Sequence, residues 1–226
     1  MFRGRAMPRA RPASRACRAA VAVRTSRLEA FSDGVLAIII TIMVLGLRVP
    51  EGDRFSDLVH TTGGGLLAYL VSFVYVGIYW NNHHHMFQLV KQVSGGVLWA
   101  NLALLFCLSL VPFTTDWMNK SSFAQAPVIT YGVNLLAAAA AYFTLQTVII
   151  RLQGPGSPLR QAVGTDIKGK ISPLFYLAGI LSALAIDRSG QAGIVIALAC
   201  FVGPAIMWLV PDRRIDRMIR QQETPD

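Results

Sequence analysis

Charge is what this sequence has least of. Only 15% of its 226 residues are charged, where soluble domains carry about 25%. Acids are scarcer still, 12 against 21 bases. That shortage excludes an ordinary water-soluble domain. Cysteine is equally sparse: Cys17, Cys107 and Cys200 stand far apart, without disulfide or metal spacing. No nucleophile, base or metal constellation converges as a membrane enzyme requires, so a protein without enzymatic activity or cofactor is expected. Residues 1–24 hold no acid and no sustained apolar run, which excludes a secretory signal peptide. They are expected to form a basic, disordered cytoplasmic tail or an overextended start with Met7 as initiator, although Arg-rich, acid-poor composition also suits a mitochondrial transit peptide.

What the sequence does have is apolar length. Hydrophobic residues make up 54% of it, and long runs recur at Leu28–Leu47, Gly65–Trp80, Val97–Phe113, Val128–Ile150, Ile171–Ile186 and Ala192–Val210. A helix needs about 20 residues to cross ~30 Å of hydrocarbon. The expected fold is therefore all-α, a six-transmembrane-helix domain over residues 25–211, followed by a basic and polar tail at 212–226. Pro173 is placed in the first turn of the fifth span, where a missing N–H costs nothing. Gly203-Pro204 marks a kink in the last span, freeing carbonyls for neighbouring helices to satisfy.

Basic residues set the orientation, because cytoplasmic loops and tails accumulate Lys and Arg. With both termini cytoplasmic, 17 of the 21 bases lie inside, leaving Arg48, Arg54, Lys120 and Arg188 outside. The net charge of +9 then reads as attraction to anionic lipid headgroups, worth ~1 kcal/mol per residue near the surface, and not as nucleic-acid binding. Trp80, Trp99, Trp117 and Trp208 lie near span ends, where indole rings favour the interface.

One residue contradicts the apolar pattern. Asp33 sits inside the first span, and a carboxylate at the bilayer centre costs roughly 2.5–3.5 kcal/mol on insertion scales. Ser26 and Glu29 have the spacing of a capping box, which would start the helix just before Asp33. Glu29 shares a face with Asp33 and repels it mildly, so the partner of Asp33 is expected on another helix. At 100° per residue, Arg27, Phe31, Gly34, Ile38, Thr41 and Leu45 form one stripe, and Asp33 points about 140° away from Ile38. A four-three repeat suits a seam around an axis of identical subunits, with Gly34 permitting close backbone approach. Ile38 would then give an apolar ring that can gate by dewetting, and Thr41 a ring of hydroxyls that can replace part of a cation's hydration shell. Ordinary helix packing produces the same stripe.

The motif Arg27-x-x-x-Phe31-Ser32-Asp33, with Thr41 eight residues after the aspartate, resembles the signature of the endolysosomal potassium-channel family, transmembrane protein 175. The likeness is to its bacterial members with one six-helix repeat per chain. Ser72-Phe73, Trp80 with His83 and His84, Asn101-Leu102 and Leu110-x-Pro112-Phe113 extend it over residues 24–210. The resemblance implies a homotetramer in the bacterial cytoplasmic membrane, conducting potassium ions through a pore lined by four first helices, without a carbonyl filter. It places Ile38 at the hydrophobic constriction, Thr41 in a polar layer beside it and Leu45 in a further apolar layer. It puts Arg27 and Ser32-Asp33 in a polar network that braces the pore helix, with His83, His84 or Asn101 holding Asp33.

His83-His84-His85 carries no metal on this reading, since consecutive helical positions point 100° apart and zinc ligands must share a face. The main alternative function is a secondary transporter, which would more often show ionisable midplane groups, broken helices and two related halves. The fourth span holds only Asn134 and Gln146 as strong polar groups, and the Phe-Ser-Asp element does not recur there.

Overall fold

The computed structural model describes residues 15–90, 92–164, 166–185 and 191–209, with side chains from residue 25 onward. Eight helices account for nearly all of them: α1 (Arg15–Leu45), α2 (Phe55–Gln88), α3 (Gly95–Ser109), α4 (Val111–Lys120), α5 (Gln125–Gln153), α6 (Pro158–Val163), α7 (Ile167–Leu184) and α8 (Gln191–Leu209). Six stretches are long and apolar enough to cross a membrane, with α3 and α4 together forming the third. The expected six spans are present. Residues 1–14 of the N-terminal tail and 210–226 at the C-terminus lie outside the described residues.

Several boundaries differ from the sequence expectation. The first helix does not start at a Ser26–Glu29 capping box: α1 runs back to Arg15, through an Ala- and Arg-rich segment of strong helix formers, so Ser26 lies inside it. The second helix is 34 residues long, about 51 Å at 1.5 Å per residue, and exceeds the hydrocarbon thickness. Its N-terminal turns include Gly63-Gly64-Gly65, a sequence that reads as a breaker. The helix continues because packing overrides propensity: a Cβ at Gly65 would stand 2.5 Å from the Asn119 amide. Pro173 lies in the second turn of α7, not the first, because α7 begins at Ile167, capped by Asp166 accepting from the Gly169 N–H at 2.9 Å.

The third span is broken at Leu110. Pro112 in the first turn of α4 has no N–H to continue the α3 ladder, and a new helix starts there. On the other side of the bundle, α5, α7 and α8 close around one ring. Phe201 of α8 fills the spaces left by Gly132 of α5 and Gly179 of α7, where any Cβ would collide with it. Near Pro204, the Tyr75 hydroxyl of α2 donates to the Phe201 carbonyl, whereas the carbonyl that the missing Pro204 N–H leaves without its helical partner is that of Cys200.

Candidate functional site: the first helix and its bracing network

The two faces of α1 differ sharply. Leu28, Ser32, Leu36, Ile39 and Met43 are buried against the rest of the chain. The opposite stripe, Arg27, Phe31, Gly34, Ile38, Thr41 and Leu45, is exposed along its whole length. Ile38 is 58% exposed and Leu45 81%. The Thr41 hydroxyl donates to the Ile38 carbonyl one turn back, at 2.9 Å, which satisfies its hydrogen and leaves oxygen lone pairs on the bare face. Ile38, Ile42 and Leu45 border an open cleft that reaches Phe113 and Asp116 of α4.

Polar groups on the packed side hold α1 in place. Ser32 is fully buried; its hydroxyl donates to the Leu28 carbonyl at 2.9 Å and accepts from the Asn101 amide of α3 at 3.0 Å. The Asn101 carbonyl oxygen faces His83 Nε2 of α2 at 2.8 Å. With the amide so oriented, His83 must carry its proton on Nε2. Its Nδ1 is then a buried acceptor with no partner among the described residues, and the ring lies 4.4 Å from that of Phe87. Three helices are thereby joined through one asparagine.

A second set of contacts lies beside it. Trp80 Nε1 donates to the Asp33 carboxylate at 3.0 Å. One turn away, His84 Nδ1 lies 3.2 Å from Glu29 and stacks against Trp80 with ring centroids 6.1 Å apart. His84 also faces the Gln88 amide at 2.9 Å. The expectation that Asp33 is held by His83, His84 or Asn101 is therefore corrected: its partner is Trp80. Pairs spaced four apart on antiparallel helices fall into register, Glu29 with His84 and Asp33 with Trp80, so each acid finds its own donor. Trp80 and Glu29 are the residues that sequence reasoning left out of the network. Their signal was present in the matching spacing of 29 to 33 and 80 to 84.

Arg27 and Phe31 remain on the exposed stripe and join neither set of contacts in the single chain. Ser72 of α2 ties in two further helices, its hydroxyl lying 2.8 Å from Thr115 of α4 and 3.1 Å from Tyr131 of α5. His83 and His84 engage different partners on different faces, and among the described residues no group of three or more His, Cys, Asp or Glu could hold a metal ion.

Six apolar spans, the first packed on one face and bare on the other, define a multi-pass membrane protein. The family model for the endosomal/lysosomal potassium channel TMEM175 matches residues 27–112, the segment that holds both sets of bracing contacts. A potassium channel from Chryseobacterium sp. (strain P1-3) is 51% identical over 195 residues, covering 86% of this chain and 97% of the relative. The chain belongs to the TMEM175 family of ion channels. The human endosomal/lysosomal proton channel TMEM175 is 34% identical over 112 residues, which is 45% of this chain and 22% of that protein. The crystal structure of a lysosomal potassium-selective channel TMEM175 homolog from Chamaesiphon minutus superimposes with a TM-score of 0.69 at 25% identity, covering 84% of this chain and 98% of that one.

Proposed function

We propose that this chain forms a homotetrameric, potassium-permeable cation channel in a bacterial cytoplasmic membrane, with both termini inside and four α1 helices around the pore. The observation that carries this reading is the bare stripe of α1, whose opposite face is fixed by direction-specific bonds to α2 and α3. The relative from Chryseobacterium is itself named a potassium channel.

Flux is passive, down the electrochemical gradient. Ile38 forms the narrow apolar ring and controls hydration there; Thr41 presents hydroxyl oxygens one turn outward; Leu45 adds a further apolar layer. Ser32 and Asp33 do not touch the ion. Their bonds hold the helix so that Ile38 faces the axis, and Arg27 and Phe31 meet neighbouring subunits on the same stripe. The basic residues of the inner loops and tails rest against anionic lipid headgroups. The break at Leu110 also suits a secondary transporter, and transport coupled to a second ion would favour that class.

The test is a potassium-gradient flux assay in liposomes, repeated with sodium. Wild-type protein is expected to pass potassium without a coupling ion, and Ile38→Asn is expected to wet the constriction and raise flux or relax selectivity. Unchanged flux in a correctly assembled Ile38→Asn protein would remove Ile38 from the ion route.

A further inference from the structure

The cleft beside the bare stripe of α1 carries a charge pair that the constriction does not use. Besides Ile38, Ile42 and Leu45, its wall takes in Gly46 at the end of α1 and Asp116 and Lys120 of α4, and it holds about 690 Å³ of open room. Among the described residues, Asp116 and Lys120 are the only charged groups on that wall. Lys120 Nζ donates to Asp116 Oδ2 at 2.6 Å across one helical turn, with 56% of the lysine and 31% of the aspartate side chain exposed.

The second carboxylate oxygen is placed differently. Asp116 Oδ1 is buried and accepts no hydrogen bond among the described residues. It lies against the end of α1, where a Cβ added at Gly46 would stand 3.3 Å from it. A helix C-terminus carries roughly half a negative charge, and the last turn of α1 has no basic residue to offset it. An acid beside that pole is disfavoured, and a partly exposed ion pair with Lys120 contributes little in return. Folding stability therefore gives no reason for a carboxylate here, whereas a mobile cation in the cleft does. Gly46 is eight residues beyond Ile38, about 12 Å along the axis, so an ion arriving from this end meets the negative pole before the constriction.

Building on the channel reading, we propose that Asp116 marks an entry site for monovalent cations at the outer mouth. Its carboxylate and the C-terminal pole of α1 raise the local concentration of potassium ions, as charge in a low-dielectric cleft does. Lys120 sets the strength of that attraction by neutralising one carboxylate oxygen. The ions keep most of their water there. A divalent cation would want six or more oxygen ligands, which an otherwise apolar wall does not offer. The site acts on the rate of entry and leaves the passage of Ile38 as it is.

The experiment is planar-bilayer recording of the full-length protein in symmetric potassium chloride at about 10 mM and about 1 M, where the Debye length is about 30 Å and about 3 Å. At low salt, Asp116→Asn leaves Lys120 unopposed and should lower inward current, while Lys120→Met frees the carboxylate and should raise it, each by roughly two- to threefold. The double variant restores the net charge of the wild-type pair and should return close to the wild-type current. All of these differences should vanish at high salt. A merely structural role would give neither opposite signs nor salt dependence. Single variants that move the current in the same direction, a double variant no nearer to wild type than either, differences that persist at high salt, or currents unmoved at both salts would overturn the proposal. Those results leave the channel reading standing, whereas wild-type protein that passes no potassium would remove that reading and this inference with it. If Asp116→Asn fails to assemble, Lys120→Met decides: a rise at low salt that vanishes at high salt supports the proposal, and any other result overturns it.

Discussion

Replacing Asn101 with leucine removes a side chain that joins α1, α2 and α3, while keeping its branching at Cγ. Two interhelical bonds disappear, from Asn101 to Ser32 at 3.0 Å and between Asn101 and His83 at 2.8 Å. Interhelical hydrogen bonds inside membranes average ~0.6 kcal/mol each and reach ~1.7. The Ser32 hydroxyl keeps its bond to Leu28, so little is lost there. His83 fares worse: Nδ1 already lacks a partner, and Nε2–H would join it, at a desolvation cost of about 1–3 kcal/mol. The sum is a loss of ~2–4 kcal/mol. Reversible unfolding in mixed micelles measures it, with His83→Phe and the double variant completing a cycle. The two changes should be strongly non-additive, with a coupling of roughly 0.5–2 kcal/mol, because they remove the same bond. Additivity within about 0.3 kcal/mol would refute the claim that this amide and imidazole act as one unit.

Three further outcomes follow from the same geometry. Asp33→Asn keeps a carbonyl oxygen for the Trp80 N–H and should fold nearly as well as wild type, whereas Asp33→Leu removes this interhelical bond and should cost ~0.6 kcal/mol in the same assay. Gly132→Val places a side chain where the Phe201 ring lies and should destabilise by about 1–3 kcal/mol, read as a lower melting temperature. Ser72→Ala should lose its links to Thr115 and Tyr131, worth ~1 kcal/mol together at membrane values, with potassium flux unchanged because Ser72 is remote from the α1 stripe.

The number of spans was legible because hydrophobic length is a property of composition alone, and the bare stripe of α1 was legible because it follows helical period. What composition could not reveal was the course of the chain where local preference and packing disagree. Gly63-Gly64-Gly65 reads as a break yet stays helical, since Asn119 occupies the space a side chain would need. Pro112 sits inside an unbroken apolar run, and its missing donor divides that run into α3 and α4. The bracing residues were half legible. Ser32, Asn101 and His83 do meet, but the partner of Asp33 depends on the register of α1 against α2, which sets Trp80 opposite Asp33 and His84 opposite Glu29. Arg27 lies on the exposed stripe, as helical period places it.

The placement of the polar bonds along α1 has a mechanical consequence. Glu29, Ser32 and Asp33 make polar side-chain contacts from α1 to α2 and α3, and all three lie on the N-terminal side of Ile38. Beyond them the packed face is Leu36, Ile39 and Met43, which adhere through apolar contact. Hydrogen bonds fix direction, while apolar packing tolerates small sliding and rotation at low cost. The rotational setting of α1 is therefore determined by the stretch from Glu29 to Asp33, and Ile38 lies five positions beyond Asp33, about 7.5 Å along the axis. A rotation of α1 that turned Ile38 away from its present direction would have to break the Trp80 and Asn101 bonds first. The acid that looks misplaced in an apolar helix is thus the group that makes the direction of Ile38 a fixed property of the fold.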